Sequence, residues 1–176
     1  GAEALIRWTH PIKGMIPPDE FISIAEQFGF IQSLQDIVLE DICKLLIELE
    51  TSSTISSQFK LSINISHSQF RSSNFKESLE ATINQYGVAA SRVTLEITES
   101  MLSHDIAKTV QQMNEIADTG FSFSIDDFGT GYSNLSNLHA FPVHELKIDK
   151  SFVDRMLDPS GLSIVETIIS LAKNLN

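Results

Sequence analysis

The chain has 176 residues, enough for one domain that buries a substantial core. Its 12 Lys and Arg residues face 23 Asp and Glu residues, for a net charge of −11, so we expect no binding to DNA or RNA duplexes. The sequence contains no apolar run of membrane-spanning length, and its single cysteine excludes a disulfide within the chain.

Strand-like and helix-like segments alternate along the chain. In order, we predict strand Ala2–Trp8, helices Asp19–Phe28 and Leu34–Leu49, strand Lys60–Ser66, helix Phe75–Tyr86, strand Arg92–Thr98, helix Ile106–Thr119, strand Phe121–Asp126, a helical turn at Asn134–Leu138, strand His144–Asp149 and helix Ser163–Asn174. This alternation is typical of an α/β domain with a mainly parallel sheet. The pattern alone fits either part of a (β/α)8 barrel or a doubly wound sheet.

Each predicted strand carries a polar side chain within an apolar run, mostly towards its carboxyl end. These residues are Glu3, Asn64, Glu96, the pair Asp126 and Asp127, and Lys147. Buried charges are costly unless they are paired or bound to a metal. Because ligands collect at the carboxyl ends of parallel strands, five such positions predict an active site.

The residue types indicate the chemistry of this site. Carboxylate and amide oxygens suit Mg²⁺ or Mn²⁺, whereas zinc more often recruits His or Cys. At a strand end, Asp126 and Asp127 could each reach a different ion, with the ions about 3.5–4 Å apart as in two-metal phosphoester cleavage. Lys147 would lie beside the ions as a cation that stabilises developing negative charge.

The segment DDFGTGY (Asp126–Tyr132) has other interpretations when it is taken alone. Two aspartates before a glycine most often form a surface turn. A phosphate-binding loop is disfavoured, because the G-x-x-x-x-G-K-[ST] and G-x-G-x-x-G patterns are missing. Glu96 and Lys147 could each face solvent, and Asn64 could bond to backbone. The coincidence of polar residues on all five strands favours the metal site.

Five motifs, in order, resemble a known family. They are E-A-L at Glu3–Leu5 with Arg7 and Trp8, N-I-S at Asn64–Ser66 with Gln69, E-I-T-E at Glu96–Glu99, D-D-F-G-T-G-Y at Asp126–Tyr132 and K-I-D at Lys147–Asp149. This set resembles the EAL-domain phosphodiesterases of bacterial cyclic di-GMP signalling. The resemblance implies a modified (β/α)8 TIM-type barrel that hydrolyses cyclic di-GMP to linear pGpG with two Mg²⁺ or Mn²⁺ ions.

The resemblance also implies a role for each matching residue. The implied metal ligands are Glu3, Asn64, Glu96 and Asp126, with Asp127 serving the second metal. Glu3 and Lys147 are the implied catalytic residues, with Lys147 beside the attacking water, and Arg7 and Asp149 are the implied substrate contacts. Glu99 is the implied anchor of the loop that contains Gly129, Thr130 and Gly131, which in this family couples metal binding to dimerisation.

The sequence departs from the family pattern at both ends. A strand before E-A-L, a later strand with an A-E-G-V-E motif and a final strand with a glutamine-bearing loop are not found, so we expect residues 1–176 to be one truncated EAL domain. We expect the isolated fragment to be weakly active or inactive. The alternative function is a catalytically inactive receptor for cyclic di-GMP. We further expect a homodimer, a covalently linked sensor or GGDEF domain and a cytoplasmic location, including the cytoplasmic part of a membrane-anchored protein.

Overall fold

The computed structural model describes residues 1–52, 56, 58–103, 105–130 and 135–174. The chain divides into two compact units, Gly1–Thr94 and Leu95–Asn176. Each unit combines helices with strands that pair in parallel, which confirms the predicted α/β class. In the described part of the chain, no helix has both the length and the apolar character required to span a membrane.

The three helices that were predicted before residue 90 are all present in the first unit. Its elements are β1 (Ala2–Ala4), β2 (Trp8–His10), β3 (Gly14–Ile16), α1 (Pro18–Gln27), α2 (Ile31–Thr51), β4 (Leu61–Asn64), α3 (His67–Phe70), α4 (Phe75–Tyr86) and a 3-10 helix (Ala90–Arg92). Strand β1 pairs in parallel with β4, so that Glu3 lies opposite Ser62.

The predicted first strand, Ala2–Trp8, is in fact two strands. Only Ala2–Ala4 pairs with β4, and Trp8–His10 instead forms an antiparallel hairpin with Gly14–Ile16. The turn between the two strands of this hairpin contains Pro11, whose ring fixes φ, and is followed by Gly14, whose φ of +74° favours glycine. The hairpin was not predicted, because both of its strands are only three residues long.

Local sequence signals explain where several helices begin and end. Helix α1 begins with Pro18 and has Asp19 in its first turn, where proline and acidic residues are favoured. Helix α4 ends at Gly87, with φ of +66°, as the sequence predicted. The unpredicted helix α3 has a capping box, in which Ser66 and Gln69 each accept a hydrogen bond from the other's backbone N–H.

The core of the first unit lies between α2, α4 and β4. The buried side chains on these elements are Leu39, Ile42, Cys43, Leu46, Leu61, Ile63, Phe75, Leu79 and Ile83. Phe70 packs edge-on against Phe75, with their ring centroids 6.0 Å apart. Burial, followed by the charge of Glu40, raises the pKa of the Cys43 thiol to about 11, so this cysteine is a packing residue at neutral pH.

The second unit carries the remaining strands. Strand β5 (Val93–Thr98) begins in the first unit and continues into the second. The elements that follow it are a 3-10 helix (Glu99–Leu102), α5 (Ile106–Ala117), β6 (Ser122–Phe128), a 3-10 helix (Leu135–Ala140), β7 (Val143–Ile148), α6 (Lys150–Val153) and α7 (Pro159–Asn174). Neighbouring strands follow the order β5-β6-β7. Their core side chains include Leu95, Ile97, Met113, Ile116, Phe123, Ile125 and Phe128.

Candidate functional site

An irregularity in the sheet places both aspartates of β6 opposite one lysine. Ile125 pairs with Leu146 and Phe128 pairs with Ile148, so Asp126 and Asp127 together face the single residue Lys147. Asp127 has a φ of +53°, in the left-handed region. A bulge of this kind breaks the alternation of side chains along a strand. The sequence showed the two aspartates, but it carried no signal for the bulge.

Lys147 joins carboxylates from two neighbouring strands. Its Nζ donates to Glu96 Oε2 at 2.7 Å and lies 3.5 Å from Asp126 Oδ1. Glu96 is only 2% exposed, whereas the Lys147 side chain is 30% exposed. The interpretation of Glu96 as a solvent-facing strand residue is therefore wrong. A carboxylate buried this deeply requires a cation, and Lys147 supplies it.

Asp127 and Asp149 form a second carboxyl pair beside this cluster. Partial desolvation, followed by the charge of Asp126 and the charge and hydrogen bond of Asp149, raises the pKa of Asp127 above its ordinary value of 3.8. The Ser151 hydroxyl and then the Ser151 N–H lower the pKa of Asp149, which caps the N-terminus of α6. Ser151 was missed in the sequence, although its place two residues after Asp149 is typical of such a turn.

Asp127→Asn is expected to raise the thermal stability of the metal-free protein at pH 7. The folded state raises the pKa of Asp127, so its negative charge costs stability above pH 3.8, and this cost vanishes as the pH falls below 3.8. Melting curves in EDTA at pH 7 and pH 3 would measure the gain and its disappearance. Glu166→Gln, an equal change of charge at an exposed position of α7, serves as the control. An equal gain in both variants would contradict the assignment to Asp127.

The loop after β6 is held from the 3-10 helix that follows β5. Glu99 is 4% exposed, and its Oε2 accepts a hydrogen bond of 2.8 Å from the Gly129 N–H. Thr130 Oγ1 donates to the Asp127 carbonyl oxygen at 2.8 Å. Both contacts limit where the backbone can run directly after the two aspartates. Gly131, which was predicted to belong to the same loop, lies outside the described residues.

Gly129→Ala is expected to destabilise the protein by about 2 kcal/mol, because of both backbone strain and a clash. Gly129 has a φ of +100°, and a Cβ there would lie 2.9 Å from Phe152 Cε2. Gly87→Ala is a matched control, since Gly87 has a φ of +66° but no atom within 4 Å of the added Cβ. Denaturant unfolding measures both variants, and equal losses would show that the contact with Phe152 contributes nothing.

The first unit contributes a separate polar pair. Asn64 Nδ2 donates to Glu3 Oε1 at 2.7 Å, across the parallel pair β1–β4. Arg7 is exposed, and its Nη1 donates to the Ile6 carbonyl oxygen at 2.9 Å. Glu3, Arg7 and Trp8 also line a mainly apolar cavity of about 750 Å³. The hydrogen bond between Glu3 and Asn64 brings a carboxylate and an amide together, and the oxygen atoms of both groups are of the type that binds a hard cation.

The donor chemistry of both units fits a hard divalent cation. Glu3 and Asn64 offer oxygen donors in the first unit, and Glu96, Asp126 and Asp127 offer them in the second. Among the described residues, no three Asp, Glu, His or Cys side chains form a ready metal-binding group. The carboxylate of Glu3 is instead paired with an amide, and those of Glu96 and Asp126 with an ammonium group.

Sequence comparison relates the chain to signalling proteins of several bacteria. The oxygen sensor protein DosP of Escherichia coli (strain K12) is 38% identical over 177 residues, which cover 100% of this chain and 22% of DosP. The cyclic di-GMP phosphodiesterase NbdA of Pseudomonas aeruginosa is 35% identical over 175 residues, which cover 99% of this chain and 22% of NbdA. The chain thus spans about a fifth of the length of these curated relatives.

Structural comparison agrees with the sequence. The structure of the PaMucR phosphodiesterase in its c-di-GMP complex is similar, with a TM-score of 0.91 and 33% identity, and the match covers 99% of this chain and 70% of that one. This likeness confirms the barrel-type α/β prediction, since the parallel strands and helices are consistent with a partial (β/α)8 barrel. The sequence pattern of the family described as "EAL domain" matches residues 1–176 of this chain. The chain therefore belongs to the EAL domain family.

Proposed function

We propose that this chain is the catalytic domain of a metal-dependent phosphodiesterase that hydrolyses cyclic di-GMP to linear pGpG. The observation that carries the proposal is the cluster at β5, β6 and β7, where Lys147 contacts Glu96 and Asp126. A buried carboxylate and an ammonium group at neighbouring strand ends suit charge stabilisation during phosphoester cleavage. The names of NbdA and of the PaMucR complex support cyclic di-GMP as the substrate.

We assign the metal ligands by their donor chemistry. Glu3 and Asn64 in one unit, and Glu96, Asp126 and Asp127 in the other, supply oxygen atoms for two Mg²⁺ or Mn²⁺ ions. Such ions, when bound, supply an activated water and neutralise charge on the phosphate. Glu99 keeps the backbone after Asp127 in place through Gly129.

The cationic and proton-holding groups have complementary roles in this proposal. Lys147 stabilises the negative charge that develops at the phosphate, and its bond to Glu96 fixes the ammonium position. Arg7 binds a substrate phosphate, for which a guanidinium group is well suited. Asp127 can hold a proton towards Asp149 at acidic pH, because desolvation, the charge of Asp126 and the charge and hydrogen bond of Asp149 raise the pKa of Asp127.

One assay tests the proposed function. The intact protein, and not the isolated fragment, is incubated with cyclic di-GMP and Mn²⁺, and the products are separated by chromatography. Formation of pGpG that stops on addition of EDTA is the expected result. Binding of cyclic di-GMP without turnover, measured by calorimetry on the same sample, would instead identify a receptor.

The remaining assignments concern the protein around this domain. Because the chain spans about a fifth of DosP and NbdA, we propose that a sensor or GGDEF domain is covalently linked to it. We also propose a homodimer, with the loop after β6 near the contact, and a cytoplasmic location, which agrees with a single buried cysteine. Light scattering with and without Mn²⁺ tests the dimer, and a single monomeric mass under both conditions contradicts it.

A further inference from the structure

The hairpin β2–β3 is closed by one histidine atom. His10 Nδ1 accepts hydrogen bonds from the backbone N–H groups of Ile12 at 3.1 Å and Lys13 at 3.2 Å. Pro11, the other residue of this turn, has no N–H. The Nδ1 atom of His10 therefore accepts hydrogen bonds from both backbone N–H groups that lie between Pro11 and Gly14. This geometry requires that Nδ1 carry no proton, because a protonated nitrogen is a donor.

The ring of His10 also contacts the chain just before the turn. The His10 and Trp8 rings meet edge-on, with centroids 5.9 Å apart. Trp8 also contacts Phe21 of α1, whose ring centroid lies 5.7 Å from that of Trp8. Phe21 is 6% exposed, so it is part of the core. Trp8 therefore contacts both a core ring and a histidine that is bonded to the turn.

We propose that His10 is a positioning residue that orients Arg7 towards the substrate phosphate. Arg7 directly precedes Trp8, and it lies in the segment that connects β1, which contains Glu3, to the hairpin. Apart from its bond to the Ile6 carbonyl oxygen, the exposed Arg7 guanidinium has no other hydrogen bond or ion pair among the described residues. Its direction therefore depends on the backbone that Trp8 and His10 hold. This inference rests on the proposed function, because it assigns Arg7 to a substrate contact.

Two variants of His10 test whether the hydrogen-bond acceptor at this position is what matters. His10→Ala is expected to raise the KM for cyclic di-GMP about tenfold, the effect of losing two weak hydrogen bonds, with kcat within about twofold of the wild type. His10→Asn is expected to recover most of the affinity, since asparagine can accept the same N–H groups from the first position of a turn. His139→Asn, at an exposed position outside the hairpin, is the control and should leave KM unchanged.

A second readout does not depend on activity. Trp8 is the only tryptophan in the chain, so fluorescence reports on its surroundings alone. We expect His10→Ala to shift Trp8 emission to longer wavelength and to lower its anisotropy, and His10→Asn to reverse at least the loss of anisotropy. Melting curves establish that each variant is folded.

The outcomes distinguish this inference from the proposed function. Unchanged Trp8 fluorescence in His10→Ala, or a KM as high in His10→Asn as in His10→Ala, would overturn the role of His10. A wild-type protein that neither binds nor hydrolyses cyclic di-GMP would overturn the proposed function and, with it, the assignment of Arg7. In that case the fluorescence of the variants still decides whether His10 holds Trp8.

Discussion

Glu3→Ala is expected to abolish hydrolysis of cyclic di-GMP, lowering kcat/KM more than a hundredfold. Removing a residue that only supports a metal ligand typically costs 10–100-fold in affinity or rate, and Glu3 is proposed to bind the metal directly. Its side chain is exposed and contacts Asn64, so the loss should arise from chemistry and not from unfolding. Titration with Mn²⁺ should show weaker binding, whereas the melting temperature in EDTA should change little.

The control for this prediction is Glu48→Ala. Glu48 is an exposed carboxylate on α2 in the same unit, and its removal changes the net charge equally. Loss of activity in both variants would point to a general effect of charge. An unchanged rate and unchanged Mn²⁺ affinity in Glu3→Ala would refute the role assigned to Glu3.

Lys147→Met is expected to lower both stability and activity. Without the ammonium group, Glu96 is a buried carboxylate that has lost its cation, which is costly. Because Lys147 is partly exposed, we expect a loss of about 2 kcal/mol, or about 4–8 °C in Tm, which is below the range of roughly 3–5 kcal/mol for fully buried pairs. The rate should fall as well, since the Lys147 ammonium group no longer stabilises the charge that develops at the phosphate. Denaturant unfolding in EDTA and the pGpG assay measure the two effects.

The double variant Glu96→Gln/Lys147→Met separates these two effects. A neutral glutamine needs no cation, so most of the lost stability should return. Activity should stay low, because both the proposed ligand and the lysine are absent. If the double variant were no more stable than Lys147→Met, the loss would come from packing of the lysine stem and not from the unpaired Glu96 carboxylate.

Much of the fold could be predicted from periodicity and helix-end signals. Helix α4 was predicted with its observed bounds, because it has a clear apolar stripe and ends at a glycine. Helix α7 begins at Pro159 and not at Ser163, since a proline is tolerated in the first turn of a helix. The hairpin was missed because its pairing depends on three residues on each side, which is too short for a pattern of alternation.

The candidate site was predictable in its residues but not in its contacts. Glu96 and Lys147 could be singled out as polar residues in apolar strands, yet only tertiary structure shows that they bond to each other. The bulge at Asp126 and Asp127 depends on how β6 pairs with β7, which no local sequence pattern encodes. The hydrogen bonds that His10 accepts in the turn could likewise not be predicted, because histidine is not among the usual turn-forming residues.

The left-handed backbone of Asp127 affects how mutational scans of this family member should be designed. Aspartate and asparagine adopt this conformation readily, whereas alanine carries a penalty of about 1 kcal/mol there. An alanine scan would therefore report loss of the carboxylate and backbone strain as one number. Asparagine is the variant that isolates the carboxylate, and the difference between the glycine and alanine variants isolates the backbone strain. A ranking of site residues from alanine data alone would overstate the chemical importance of Asp127 relative to Asp126.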